Sequence, residues 1–220
     1  MFQYPFLLPF EKLPVTLPLF PLSNAVVMPG CQLPLNIFEP RYLNMVFDAL
    51  GAERLIGMVQ VKPGDAGDKD APVYRTGTAG RIVSFSETAD GRLLIVLAGV
   101  CRFEMDSEIP TTRGYRRASI SWNRFLDDYD DKPRVDFPRW KLMDLLREYS
   151  SAKKLEMDWE AIERLDDLLL CNVLTGILPL EVAERQALID SVTLDDRVKK
   201  LANLLEFEVA HPTPGSAKRH

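Results

Sequence analysis

"LPLFPLSNAVVMPGCQLPLNIFEPRY", residues 17–42, holds five prolines in twenty-six positions, yet its apolar residues keep the order of a strand. Val15, Leu17 and Leu19 alternate with Thr16 and Pro18, and Leu33, Leu35 and Ile37 alternate with Pro34 and Asn36. Side chains two apart share one face of a strand, so each set is expected to enter a β core. Proline cannot donate to a ladder, which places Pro18 and Pro34 on edges or where the missing N–H meets no partner. The stretch ends by opening a helix. Pro40 suits the first helical position, Leu43, Val46, Phe47 and Leu50 follow the i, i+3, i+4, i+7 spacing, and Gly51 is placed to end the run. On that geometry Arg41 and Met45 lie opposite the apolar stripe, and something other than that core must explain Met45.

Working outward, the rest of the first half also reads as β-rich. "RLIGMVQV" (54–61), "TGTAGRIVSFSET" (76–88) and "GRLLIVLAGVCRFEM" (91–105) favour strands, with turn residues at 62–68 and a tight Asp90-Gly91 hairpin turn between the last two. In "GYRRASISWNRF", Ala118, Ile120 and Trp122 face one way and Arg117, Ser119 and Ser121 the other, the pattern of a half-buried strand. After residue 122 the period changes. "NRFLDDYDDKPRVDF", with Asp127, Asp128, Asp130 and Asp131, reads as a connection. Leu142, Leu145, Leu146 and Tyr149 then form a helical stripe. A second helix is expected from an Asp158 N-cap through Val173, a third after Pro179, and a fourth opened by Thr193 and Asp196. The expected organisation is a β-rich unit at 1–122, an acidic linker at 123–136, a four-helix unit at 137–210 and a disordered tail at 211–220.

Composition narrows the function classes. Hydrophobic residues make up 46% and charged residues 27%, too apolar for a disordered chain. The longest apolar run, residues 93–100, is far short of the roughly 20 residues that span a bilayer. No basic region precedes the apolar N-terminus, and Pro5 and Pro9 interrupt it, which argues against a secretory leader. The three cysteines are odd in number, widely spaced and set among apolar neighbours, so small buried hydrophobes in a reducing, cytoplasmic setting are expected. The net charge of −5 is carried by residues 123–220, which offers a polyanion no general attraction.

Catalytic patterns are missing. There is no GxxxxGK[ST] phosphate loop and no GxSxG. The two histidines, His211 and His220, lie in the tail, where neither could serve as a rigidly held base or zinc ligand. Asp127-Asp128 and Asp166-Asp167 are adjacent pairs, and adjacent residues on a helix point about 100° apart, so solvated faces account for them. No catalytic residue, metal site or cofactor is expected.

Three segments in order, "LPLFPLSNAVVMPGCQLPLNIFEPRYLNMV", "GTAGRIVSFSETADGRLLIVLAGVCRFEM" and "LPLEVAERQALIDSVTLDDRVKKLANLLE", together resemble the N-terminal substrate-binding domain of Lon proteases over residues 13–209. The resemblance implies an α+β fold, a PUA-like β pseudo-barrel with one short helix followed by a C-terminal four-helix bundle. It implies recognition of unfolded or degradation-marked polypeptide segments, with a separate protease as a further partner. Because the chain stops before the ATPase and Ser-Lys peptidase modules, it is expected to be a free-standing, non-catalytic form. Phe38, Arg41, Tyr42 and Met45 are the candidate lining of a peptide-binding surface. Phe137 and Trp140, roughly opposite the Leu142 stripe, either pack against the β half or join that surface. The alternative is RNA binding through the basic and aromatic residues 113–124, which include Tyr115, Trp122 and Arg124.

Overall fold

The computed structural model describes residues 8–23, 25–64, 70–129 and 133–211. Six strands, β1 (Thr16–Leu22), β2 (Gln32–Ile37), β3 (Leu55–Gln60), β4 (Thr76–Glu87), β5 (Leu93–Ile109) and β6 (Arg116–Ser121), form one sheet in the order β2-β5-β4-β3-β1-β6. A further pairing of β5 with β6 closes five of these strands into a ring. The 17-residue β5 makes this possible, since its first part pairs with β2 and its last part with β6 while β4 follows it almost throughout. The prolines occupy positions where a lost donor is cheap. Pro34 lies on β2, the end strand of the order. Pro18 pairs only towards β6, because pairing with β3 begins one residue later at Leu19. The β4–β5 hairpin turns at Asp90-Gly91 as expected, with Gly91 at φ 79°, a conformation glycine adopts without steric cost.

Inside the ring, Leu17, Leu19, Val59, Cys101, Phe103, Ala118, Ile120 and Phe125 make one core. A second core lies under the helix α1 (Pro40–Leu50), where Phe20, Ile37, Tyr42, Met45, Val46, Ile82, Ile95 and Leu97 meet. Two readings of the opening stretch need correction. Val15 is 70% exposed and lies before β1, so only Leu17 and Leu19 of its set point inward. On α1 the buried stripe is Tyr42, Met45, Val46 and Ala49, whereas Phe47 is exposed and Leu43 and Leu50 pack at the margin. Both stripes obey the same helical spacing and share Val46. The one that is seated brings Tyr42 against Phe20, ring centroids 4.4 Å apart, and pushes Met45 into the sheet.

The second half contains α2 (Arg139–Lys153), α3 (Trp159–Arg164), α4 (Asp167–Ile177), α5 (Val182–Ile189) and α6 (Leu194–Ala210). Asp158 and Thr193 cap α3 and α6 as expected, accepting from the Ala161 and Asp196 N–H groups. The run expected as one helix from Asp158 is two. Leu165 is extended at ψ 142°, and Asp166 caps α4 afresh through the Leu169 N–H. Leu142, Leu146, Tyr149, Leu170, Leu174, Leu188, Val198, Leu201 and Leu205 form the core of this half. Among the described residues no helix is long and apolar enough to cross a membrane. Asp130, Asp131 and residues 212–220 lie outside the described residues.

Candidate functional site

The two halves meet along a seam, and one part of it is ionic. Arg102, on β5, is 1% exposed. Its guanidinium donates to both carboxylate oxygens of Asp128 at 2.7–3.1 Å and to the carbonyls of Ile189, the last residue of α5, and of Ser191 and Val192 beyond it. The Phe125 ring lies 4.3 Å from it. Those carbonyls form the negative end of α5, which suits a cation. Asp128 therefore does not belong to a solvated face, as the run of aspartates suggested. It sits in a short 3-10 segment, Asn123–Tyr129, anchored by fully buried Phe125, and its side chain is 4% exposed. Arg197 of α6 reaches the same cluster, donating to the Asn172 side-chain amide oxygen and lying 3.9 Å from Asp128. Around it, Gln186 donates to the Thr76 carbonyl at 3.1 Å and accepts from Gln60 at 2.9 Å. Asn172 donates to the Pro29 carbonyl at 2.9 Å.

Above Asn172 the seam opens as an apolar groove of about 330 Å³. One wall is the ribbon of residues 26–33, with Val26, Met28, Cys31 and Leu33, and the other is Leu169, Val173, Gly176 and Ile177 of α4. The helix wall follows from spacing, since residues 169, 173 and 176 share one face. The ribbon is clipped to β5 at Gly99, which accepts from the Gly30 N–H at 3.0 Å and donates to the Cys31 carbonyl at 2.9 Å. A side chain at 99 would sit on the Met28 carbonyl, so the close approach requires glycine.

The groove has no reactive nucleophile. Burial pushes the half-buried Cys31 thiol up to about 12 despite the nearby Arg197 charge, and fully buried Cys171 rises to about 11 for the same reason. Both stay protonated at neutral pH. Among the described residues no group of three His, Cys, Asp or Glu side chains could hold a metal ion.

The residues singled out from sequence do not form one surface. Met45 is 0% exposed and Tyr42 is buried, so neither can touch a partner while the fold is intact. Phe38 is 60% exposed at the end of β2, with the Arg92 guanidinium 5.7 Å from its ring. Arg41 pairs with Glu39 and stacks on Tyr42. Trp140 is 68% exposed, whereas Phe137 packs against the helical core. Neither joins the halves, a task performed by Arg102, Asp128, Asn172, Gln60 and Gln186. One signal pointed there, an arginine set between Cys101 and Phe103 in the apolar run of β5.

The basic stretch 113–124 is already committed. Tyr115 and Trp122 are buried, their polar atoms donating to Asp48 and to the Pro14 carbonyl. Arg113 forks onto Asp48, Arg116 onto Glu108, and Arg124 faces Glu104. No aromatic face of this stretch is free to stack on a base, so the RNA alternative loses its structural support.

Residues 16–206 match the family described as the ATP-dependent protease La (LON) substrate-binding domain. The Lon protease of Flavobacterium johnsoniae is 26% identical over 207 residues, which cover 90% of this chain and 25% of that protein. Lon protease 2 of Myxococcus xanthus is 26% identical over 202 residues, covering 89% and 24%. The chain thus spans about a quarter of the length of these relatives, and the family match does not reach their ATPase or peptidase parts. Among solved structures, the Lon N-terminal domain protein from Xanthomonas campestris aligns with a TM-score of 0.63 and 26% identity, covering 86% of this chain and 97% of that one. The N-terminal domain of Mycobacterium avium complex Lon protease shares the fold at a TM-score of 0.59 and 16% identity, covering 87% and 98%. With an α+β fold in common and a family match over nearly its whole length, the chain belongs to the Lon substrate-binding domain family.

Proposed function

We propose that this protein is a non-catalytic module that holds apolar stretches of unfolded or degradation-marked polypeptides in the groove between α4 and residues 26–33. The observation that carries the reading is the groove itself, a concave apolar slot of about 330 Å³ on a seam fixed by a buried ion pair. Family membership supports a role in substrate recognition, and delivery of the held segment to a separate protease is part of the proposal. Phe38 and Arg41, at the far end of β2 from Leu33, are proposed as its extension for longer segments.

Burying about 400 Å² of apolar surface gains on the order of 10 kcal/mol gross. Association costs roughly 4–15 kcal/mol, so micromolar or weaker binding is expected. Weak, sequence-tolerant capture suits a module that samples many chains. The test is fluorescence anisotropy with an apolar decapeptide and the intact chain. Binding should be lost in Val173→Arg and kept in Trp140→Ala. The reverse pattern would move the site to the exposed face of α2, and no binding at high micromolar concentration would remove the reading.

A further inference from the structure

Around Arg197 the seam holds more positive than negative charge, since the seam's other carboxylate, Asp190, is taken up by the Gln186 amide. Arg102 and Arg197 are each 1% exposed, and Asp128 is the carboxylate they share. Arg102 takes both of its oxygens and three backbone carbonyls as well. Arg197 is left with the Asn172 amide oxygen, while its Nε is buried without a hydrogen-bond partner. It also stands in the first turns of α6, where the helix dipole is positive. Burial and the neighbouring Arg102 push Arg197 down to about 10, still well above neutral pH, so the charge persists.

This unmatched guanidinium lies directly behind the groove. Its acceptor Asn172 is part of the groove lining, as is Cys31, whose thiol feels the Arg197 charge. The lining contains no charged side chain. At the start of α4, Asp166 is exposed and occupied as the N-cap, and Asp167 is paired with Arg139. The Gln32 amide and the protonated Cys31 thiol add donors on the ribbon wall.

Building on the reading of the groove as a polypeptide site, we propose that it selects apolar segments bearing a carboxylate, from an acidic side chain or a free chain end, over segments bearing a cation. The protein's net charge of −5 pulls the other way, but surface charges are screened by salt far more than a buried one.

Four decapeptides of matched apolar composition, carrying a neutral dye, separate the possibilities with the intact chain. Three are C-terminally amidated and carry a neutral residue, one Glu or one Lys at the same position. The fourth is the neutral sequence with a free terminal carboxylate. The Glu peptide should bind about tenfold more tightly than the Lys peptide, and the gap should survive about 0.5 M salt. A gain confined to the free-end peptide assigns the carboxylate to the chain terminus, and a gain confined to the Glu peptide assigns it to a side chain. Arg197→Met should narrow the gap to under about twofold. If that variant does not fold, the wild-type titrations at two salt concentrations decide alone. If neither the Glu peptide nor the free-end peptide binds more tightly than the neutral and Lys peptides, or if the gain disappears in salt, charge selection is overturned and the groove reading stands. Failure of all four peptides to bind removes both.

Discussion

The seam between the halves joins them in two ways. At its floor, Arg102, held by Asp128, reaches the Ile189 and Val192 carbonyls, and Gln60 and Gln186 bond across, so that directional contacts fix the helical half to the barrel and nearly every buried donor is used. At its mouth, Met28, Leu33, Leu169 and Val173 face each other across open space. Apolar surfaces left to themselves close up, because burial is favourable and non-directional. A hydrogen-bonded floor sets distance and angle instead, and so keeps an apolar mouth from collapsing. The difference teaches that stability and recognition are carried here by different residues, which should be separable by mutation.

Asp128→Ala is the strongest way to break this division. It leaves two buried guanidinium groups without a carboxylate and should cost roughly 3–5 kcal/mol, read as a fall in the urea midpoint. If the loss is below about 1 kcal/mol, the floor is not what holds the halves together. Gln186→Ala should cost about 1–3 kcal/mol, since it takes from the Thr76 carbonyl its side-chain donor and from the Gln60 amide one of its two acceptors, leaving only the Val182 carbonyl. Val173→Arg should do the opposite, leaving the urea midpoint within about 0.5 kcal/mol of wild type while weakening binding of a neutral apolar peptide at least tenfold. A smaller effect belongs to the rim of the helical half. The ion pair with Lys199 at 2.6 Å and the N–H groups of Asp136 and Phe137 hold Asp195 below the usual carboxylate range. A depressed folded pKa contributes stability above the unfolded value, and that contribution is lost as pH falls. Asp195→Asn should therefore be a few tenths of a kcal/mol less stable at neutral pH, with the gap closing below about pH 4 in denaturation series.

The same division explains what could be read from the sequence. Period-2 runs, the Asp90-Gly91 turn and the caps at Asp158 and Thr193 are local, and each element they mark is present. The buried stripe of α1 was legible only to within one step of rotation, because two apolar stripes share Val46 and the choice rests on Phe20, far away in the chain. Asp128 looked like one of several solvated acids because its partner Arg102 is 26 positions earlier and on another element. The groove was invisible for a related reason, since its walls are about 140 residues apart in sequence. Phe38 and Trp140 lie off the apolar patterns of their segments, and both are exposed. Met45 lies off the Leu43/Val46/Phe47/Leu50 stripe as well, yet it is at the centre of a core.

Gly99 carries a consequence beyond its own hairpin. The missing side chain lets the 28–31 backbone lie flat on β5, and that backbone is the near jamb of the opening beside α4. Even a methyl group there would wedge the jamb outward, so the aperture is gauged by an atom that no guest ever meets.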